Sequence, residues 1–426
     1  MRDRHVIVIG GGLAGLTAAA LLARAQVTVT LLEGSGQLGG RARSTDRDGT
    51  IRNLGPHGLA LRGPGTAILR ELGIDLPGGR PAVHRARLLL DGQIVAPLDR
   101  RVDGVVKAIP SLFRLHAAAR STDPDGSVAD WLAHTTPNPA ARRLLTPLVR
   151  LATYAEDPDV QAADVLAEAL RAGGVRYLDD GWSALVDRLR RAAIASGATV
   201  TAGAPVVTVD RDRSWIVTTR DGQRHDATDV VVAAGGPAAA AALVREEAAS
   251  GVLQRWADRA APGRMACLDV ALARRPPGPT LVLGVDDPLY LSVQSDRSRI
   301  APRGGAVVQV ARFLPLDGEA AEGTRGELES LLDRALDGWR DALIHARYLP
   351  RLTVTHDGAL AAAGGRQSRP GPEVPGADGL YVAGDWVGTQ GTLAQSSIAS
   401  GAAAARQIVD KATRDAAGSL LEAGRS

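Results

Sequence analysis

The sequence predicts an α/β protein in which a Rossmann-like domain is interleaved with an α+β domain, an antiparallel sheet covered by helices. Three observations support this prediction. The apolar run from His5 to Ile9 leads into a glycine-rich turn and an Ala/Leu-rich helix. A second β-branched run, Val27 to Leu32, ends on Glu33. Four strand candidates later follow one another between Met265 and Phe313, which indicates an antiparallel sheet.

The glycines after the first strand match the G-x-G-x-x-G pattern of dinucleotide sites. Gly10 would permit the tight turn, Gly12 would let a pyrophosphate approach the backbone, and Gly15 would let the helix pack against the strand. The start of that helix would offer free N–H groups to the phosphates. Glu33 follows at the distance expected of the acid that binds the ribose hydroxyls. The sequence therefore predicts a βαβ nucleotide site.

Two further regions indicate which kind of dinucleotide is bound. A glycine pair leads into Arg41, and a small-residue run spans Asn53 to Gly58. Near the far end, Gly379 to Ala383 is typical of a short strand that stops at Gly384, and a helix is expected to start near Thr392. A remote second site suits an extended cofactor, whereas NAD enzymes need no such site.

These segments together resemble the FAD-dependent superfamily of amine oxidases, phytoene desaturases and protoporphyrinogen oxidases, with the phytoene desaturase-like branch favoured. The resemblance is carried by VIVIGGGLAGL, LLEGSGQLGGRARS, NLGPHG, APVVTVD and GLYVAGDW. It implies that the Rossmann-like domain binds FAD, and binds it non-covalently, since the single cysteine, Cys267, is far from the C-terminal flavin segment.

The resemblance also implies places for parts of the cofactor. The main chain at Val206 would pair with adenine, the segment Leu54 to Gly58 would run beside the flavin ring, and the helix start from Thr392 to Ser396 would meet the pyrimidine end of the ring. The candidate cofactor-binding residues are Gly10, Gly12, Leu13, Ala14, Gly15, Glu33, Gly40, Arg41, Gly55, Pro56, Val206, Gly384, Asp385, Thr392, Leu393 and Ala394.

The remaining elements follow from periodicity. We expect an amphipathic helix over Trp182 to Ser196 and a buried strand over Thr228 to Ala234. Thr324 and Glu327 predict a capping box at the start of another helix. The predicted FAD-binding domain takes residues 1–81, 174–249 and 351–411. The substrate domain takes 82–173 and 250–350, and 412–426 would be a flexible tail.

The chemistry is less defined by the sequence. In such flavoenzymes a hydride passes from a substrate C–H bond to flavin N5. His57 is the candidate catalytic residue, and the competing interpretation is a histidine that only bonds a loop carbonyl. Tyr290, Ser292, Gln294 and Gln309 alternate along substrate-domain strands and stay unassigned.

Oxidation or dehydrogenation of a hydrophobic small molecule is favoured, with O2 or another compound as electron acceptor. Many amine-oxidising relatives carry a lysine bridged by water to N5, but the only lysines here, Lys107 and Lys411, lie outside the predicted substrate-domain strands. An amine or amino-acid oxidase, and a protein that uses FAD in a non-redox role, remain the alternatives.

Composition limits the number of domains, the cellular location and the classes of partner that are expected for this protein. The chain has 426 residues, 45% of them hydrophobic, enough to bury a large core in two domains. A single cysteine excludes an internal disulfide and favours a cytoplasmic location. The single cysteine also leaves no cysteine cluster for a metal, so none is expected. Net charge is +3, but the arginines are scattered and aromatics make up 3% of the chain, so no nucleic-acid partner is expected. No transmembrane segment is predicted, and peripheral membrane contact by helices around Val105 to Ala119 is left open.

Overall fold

The computed structural model describes residues 4–100, 102, 104–121, 125–316 and 318–423, and it has the predicted mixed α/β architecture. The strands are β1 His5–Ile9, β2 Thr28–Glu33, β3 Ser44–Arg47, β4 Thr50–Asn53, β5 Leu59–Ala60, β6 Gly78–Gly79, β7 Ala86–Leu90, β8 Gln93–Val95, β9 Val175–Leu178, β10 Thr199–Ala202, β11 Val206–Arg211, β12 Trp215–Thr219, β13 Arg224–Ala227, β14 Asp229–Val232, β15 Gly263–Leu272, β16 Leu281–Gly284, β17 Leu289–Val293, β18 Ala306–Phe313, β19 Leu343–Thr355 and β20 Leu380–Val382.

The helices alternate with these strands in the first part of the chain and cluster between residues 105 and 172. They are α1 Leu13–Arg24, α2 Pro64–Glu71, α3 Val105–Ser121, α4 Val128–Thr135, α5 Pro139–Thr153, α6 Ala163–Ala172, α7 Ser183–Ala195, α8 Pro237–Leu243, α9 Glu247–Arg259, α10 Thr324–Ala335 and α11 Leu393–Ala423. Short 3₁₀ segments lie at Gly40–Ala42, Val83–Arg85, Gln294–Asp296, Ala361–Ala363 and Gly365–Ser368.

A five-stranded parallel sheet in the order β10-β2-β1-β14-β20 forms the nucleotide-binding half. The strands β1, β14 and β20 are buried on both faces, as strands of parallel sheets normally are, whereas the edge strand β10 is largely exposed. Val6 and Val8 on β1 pack toward α1, α7 and α11, whereas Ile7 and Ile9 pack toward the small sheet β11-β12-β13. The predicted helix over Trp182 to Ser196 is α7, and the predicted valine-rich strand is β14.

A seven-stranded sheet in the order β19-β15-β18-β17-β16-β7-β8 forms the second layer. Its pairs are antiparallel except for β16 with β7, so the predicted antiparallel sheet is confirmed in its central strands. Leu268 and Val270 lie on the face that packs against α10. Met265 and Cys267 lie on the opposite face, which is directed toward the parallel sheet and the cavity described below.

Two details differ from the sequence-based expectations. The capping box is wrong, because Gly323 is the N-cap of α10 and the Glu327 carboxylate instead binds Arg312 at 2.7 Å. The last helix, α11, continues through residues 412–423, most of the segment predicted as a tail. The strands of the parallel sheet fall within the predicted FAD-binding segments, but β19 crosses residue 350, and the domain boundaries remain predictions.

Packing of α1 against α11 leaves no room for a side chain at Gly401, where an added Cβ would lie 2.2 Å from the Ala14 carbonyl oxygen. We therefore expect Gly401→Ala to lower the free energy of unfolding by about 1–3 kcal/mol through overpacking. Gly326 in α10 is the matched control, since an added Cβ there meets nothing within 4 Å. Gly326→Ala should stabilise by roughly 0.4–1 kcal/mol. Urea unfolding of both variants tests this, and equal effects would contradict the packing argument.

Candidate active site

A cavity of about 610 Å³ lies at the carboxyl ends of the parallel strands and extends to the seven-stranded sheet. Ligand sites in open α/β sheets are expected at this edge. The predicted site residues that line the cavity are Gly10, Gly12, Leu13, Ala14, Glu33, Gly40, Arg41, Pro56, His57, Val206, Gly384, Leu393 and Ala394. Four predicted residues, Gly15, Gly55, Asp385 and Thr392, are not part of the lining.

The three fingerprint glycines lie in different surroundings. Gly10 has φ of 105°, and an added Cβ would lie 2.6 Å from the Ala233 carbonyl oxygen. At Gly15 an added Cβ would lie 2.0 Å from the Gly10 carbonyl oxygen, so close helix–strand packing requires this glycine. At Gly12 an added Cβ meets nothing within 4 Å. The space in front of Gly12 is therefore open at the start of α1, where a helix binds phosphate.

Glu33 lies at the end of β2, beside the same turn. Its Oε2 accepts a hydrogen bond from the Gly11 amide at 2.7 Å, and its Oε1 accepts one from the Ser35 amide at 2.8 Å. Pro205 and Val206 line the cavity near it, because the Ala204 amide donates to the Glu33 carbonyl oxygen at 2.8 Å. The carboxylate is thus held rigidly at the cavity wall, with lone pairs to spare for hydroxyl donors.

Asp385 follows β20 and is fully buried at the centre of the site. Its carboxylate accepts hydrogen bonds from both terminal nitrogens of Arg41, at 2.8 and 3.0 Å, and from His356 Nδ1 at 2.9 Å. The His356 amide also donates to it at 3.1 Å. Arg41 reaches further to the Val354 carbonyl oxygen at 2.6 Å. Asp385 therefore fixes Arg41 and His356, which line the cavity, without lining it itself.

The electrostatics of this group favour the carboxylate form. Burial by itself would raise the pKa of Asp385, but Arg41 and His356 hold that pKa well below its usual value. A carboxyl group whose pKa is lowered by folding stabilises the fold above its unfolded pKa of about 4, and this contribution is lost only as the pH falls through the lower folded value. Asp385 thus stays ionised throughout the neutral and mildly acidic range.

His57 lies in the wall of the cavity with both ring nitrogens facing carbonyl oxygens. Nδ1 is 3.1 Å from the Gly55 oxygen and Nε2 is 3.1 Å from the Arg41 oxygen. The ring packs edge-on against Trp182 at a centroid distance of 4.9 Å. Burial lowers the pKa of His57, so the neutral ring predominates at neutral pH and can donate to only one of the two oxygens. This is the geometry of the loop-carbonyl interpretation.

The start of α11 forms the opposite wall. Leu393 and Ala394 line the cavity, and the Thr392 carbonyl oxygen accepts from the amides of Gln395 and Ser396 at 3.0 and 3.3 Å. Leu393 has φ of 53°, a conformation that a leucine adopts only when its surroundings impose it. The first turn of a helix leaves amide groups without partners inside the helix, so this wall can bind negative charge.

Sequence reasoning missed several residues at the far end of the cavity. Tyr154, Met265 and Leu352 line it there, contributed by the end of α5 and by β15 and β19. Burial raises the pKa of Tyr154 to about 12, so its hydroxyl stays protonated. None of the four unassigned strand residues, Tyr290, Ser292, Gln294 and Gln309, is in the lining. Only the left-handed conformation of Tyr154 after α5 marks it as unusual, and the sequence carries no signal for that.

A family model described as flavin containing amine oxidoreductase matches residues 13–409. The chain belongs to this family. Among its curated relatives, protoporphyrinogen oxidase of Bos taurus is 36% identical over 156 residues, which are 33% of this chain and 32% of that protein. Coproporphyrinogen III oxidase of Mycobacterium bovis is 28% identical over 272 residues, 54% of this chain and 59% of that protein. The aligned regions thus span one third to three fifths of these relatives.

A solved structure of similar fold is cyclohexylamine oxidase from Brevibacterium oxydans, with a TM-score of 0.69 at 18% identity, covering 96% of this chain and 100% of that one. Family membership confirms the predicted superfamily, the α/β fold class, the oxidoreductase class and FAD as the cofactor. The phytoene desaturase-like branch and the roles of individual residues stay predictions. In the part of the chain that the structure describes, no helix combines the length and apolarity needed to span a bilayer.

Loss of the Asp385 charge should weaken both the fold and the cavity wall. We expect Asp385→Asn to lower the free energy of unfolding by about 3 kcal/mol, because Arg41 would lose its buried partner. The control is Asp286→Asn, which removes an exposed carboxylate that pairs with Arg143 at 2.7 Å and should cost at most about 1 kcal/mol. Urea unfolding at pH 7 measures both. An equal, small effect of the two substitutions would show that Asp385 does not anchor the site.

Proposed function

We propose that the protein is an FAD-dependent oxidoreductase that dehydrogenates or oxidises a hydrophobic small molecule, with hydride transfer to flavin N5. The observation that carries the proposal is the character of the far end of the cavity, where Leu54, Met265 and Leu352 supply apolar surface and Tyr154 supplies a single hydroxyl group. Such a lining selects a ligand by shape and apolar contact. Among the described residues that line this far end, none supplies a carboxylate to hold a cationic amine.

The remaining walls fit the parts of FAD in order along the cavity. The open backbone at Gly12 and the start of α1 would border the pyrophosphate, and the rigid carboxylate of Glu33 would accept hydrogen bonds from the ribose hydroxyls. Arg41, fixed by Asp385, would add positive charge beside the phosphates. The main chain at Val206 would bind adenine.

Once bound, FAD supplies the electron-accepting ring, and the protein supplies orientation and charge. The amides at the start of α11 would stabilise the negative charge that reduction adds near N1 and O2 of the ring. Leu54 and Pro56 would exclude water from the reacting face. His57, held between two carbonyl oxygens, would position the loop rather than exchange a proton with the substrate.

Two relatives are named for porphyrinogens, which are tetrapyrroles, and this agrees with an extended apolar substrate. Oxidation of an amine is the second candidate, because the family description and the cyclohexylamine oxidase both name amines. The positions of the lysines count against it. Lys107 belongs to α3, and Lys411, on α11, pairs with Asp378 and is not part of the cavity lining.

Anaerobic mixing of the yellow holoprotein with a substrate panel tests the proposed chemistry. Tetrapyrrole-like compounds, polyenes and other apolar alkenes should bleach the flavin absorbance faster than primary or secondary amines do, because apolar contact contributes about 25 cal/mol per Å² buried. Bleaching by amines alone would move the protein to the amine oxidases. Absence of bleaching by any reductant in the panel, with dithionite still effective, would favour a non-redox role.

The proposed ribose contact has its own test. Glu33→Ala should weaken FAD binding by about ten- to hundredfold, since hydrogen bonds to a charged group contribute roughly 1.5–3 kcal/mol. Asp210→Ala, at an exposed position on the nearby strand β11, serves as the control and should leave binding unchanged. Fluorescence titration of the apoprotein with FAD gives both affinities. Unchanged affinity in Glu33→Ala would place the ribose elsewhere.

A further inference from the structure

Two side chains of the seven-stranded sheet, and one from the 3₁₀ segment that directly follows β17, bind alternating backbone groups of the segment Asn53 to His57, here called the 53–57 loop. We propose that Asp269, Arg347 and Gln294 are positioning residues that fix the 53–57 loop against the flavin ring and thereby set the reduction potential of the bound cofactor. The proposal rests on the proposed placement of the ring beside this loop, and it does not depend on the identity of the substrate.

The contacts are specific to the backbone of the loop. An Arg347 guanidinium nitrogen donates to the Asn53 carbonyl oxygen and lies 2.6 Å from Asp269 Oδ2. The same Asp269 oxygen accepts from the Gly55 amide at 3.3 Å. Two residues further on, Gln294 Nε2 donates to the His57 carbonyl oxygen at 3.0 Å. Every second residue of the loop is therefore held by a side chain from the sheet or from the 3₁₀ segment after β17.

The loop has little freedom to move away from these contacts. Gly55 has φ of 74°, and an added Cβ would lie 2.6 Å from Leu352 Cδ2 and 3.1 Å from Cys267 Sγ. The loop is thus pressed onto β15 and β19 at its middle residue. Its neighbours Leu54, Pro56 and His57 line the cavity. A small displacement of the loop backbone would therefore move these side chains in the cavity wall.

The charged pair is an unusual choice for this position in the sheet. Asp269 on β15 and Arg347 on β19 are direct cross-strand partners, and Asp269 is fully buried. Asp269 Oδ1 and Arg347 Nε are buried without a hydrogen-bond partner. A well-packed apolar pair is often at least as stable in such a place as a buried ion pair. An apolar pair could not form the hydrogen bonds to the loop that Asp269 and Arg347 form. This indicates that the pair positions the loop rather than stabilises the sheet.

The strands that hold the loop also form the far end of the cavity. Met265 lies on the same face of β15 as Asp269, and Leu352 lies on β19 with Arg347. The apolar wall and the flavin-side loop therefore share two rigid, paired strands. The position of the loop is set by the sheet that would contact the substrate.

Reductive titration of the FAD-loaded protein tests this proposal with three variants. Gln294→Leu removes one loop contact without a change of charge, Asp269→Asn removes a negative charge, and Arg347→Gln removes a positive charge. If the three residues act by position, all three variants shift the reduction potential of the bound FAD in the same direction. The expected shift is about 30 mV, which for a two-electron couple is about a tenfold change in the ratio of the affinities for reduced and oxidised FAD. Hydrogen exchange of a peptide covering residues 53–58 should also accelerate in each variant.

The control is Asp229→Asn, which removes a buried carboxylate that pairs with Arg4 at 2.9 Å at the other end of the parallel strands and should leave the potential unchanged. Opposite shifts for Asp269→Asn and Arg347→Gln, with none for Gln294→Leu, would reveal a simple charge effect and overturn the proposal, as would no shift in any variant. If the two charge variants do not fold, the double variant Asp269→Leu with Arg347→Met replaces the pair by apolar side chains, and the same shift supports the proposal. A protein that never binds FAD would contradict the proposed function instead. Hydrogen exchange of the 53–57 loop would then still test whether the three residues fix it.

Discussion

The buried carboxylate of Asp385 is the contact on which the organisation of the cavity depends. It follows the last strand of the parallel sheet, yet it binds Arg41 from the N-terminal unit and His356 from the end of the long edge strand of the other sheet. A full charge in a fully buried position is tolerable only because it is paired on two sides and hydrogen-bonded to the main chain. Three distant parts of the sequence are thereby brought to one point, and the cavity forms around it.

The parts of the fold and site that could be predicted are those with a local physical signal. Gly10 and Gly15 lie where an added Cβ would meet the backbone, as their spacing predicts, and the apolar runs of β1 and β14 indicate strands buried on both faces. The helix that became α7 follows from its own periodicity. Family resemblance added the placement of the remote Gly384 segment, which lies in the same cavity wall as Gly10.

Residues whose roles depend on register between distant strands could not be predicted. Asp269 opposes Arg347 across a pairing that joins residues 78 positions apart, and Tyr154 enters the cavity through a left-handed conformation at the end of α5. The capping box failed for a related reason, because Glu327 has the local spacing of a cap but forms an ion pair with Arg312 on a neighbouring strand. Local sequence rules cannot distinguish a helix cap from an ion pair with a distant strand, and here the tertiary contacts favour the ion pair.

The order of the segments along the chain has a consequence for maturation of the protein. β1 and β2 are synthesised well before Gly384, Asp385 and the start of α11. Until they arrive, Arg41 lacks its carboxylate and the cavity lacks one wall. The nascent chain must therefore hold an unfinished, partly apolar cleft from the synthesis of Arg41 until the synthesis of Asp385.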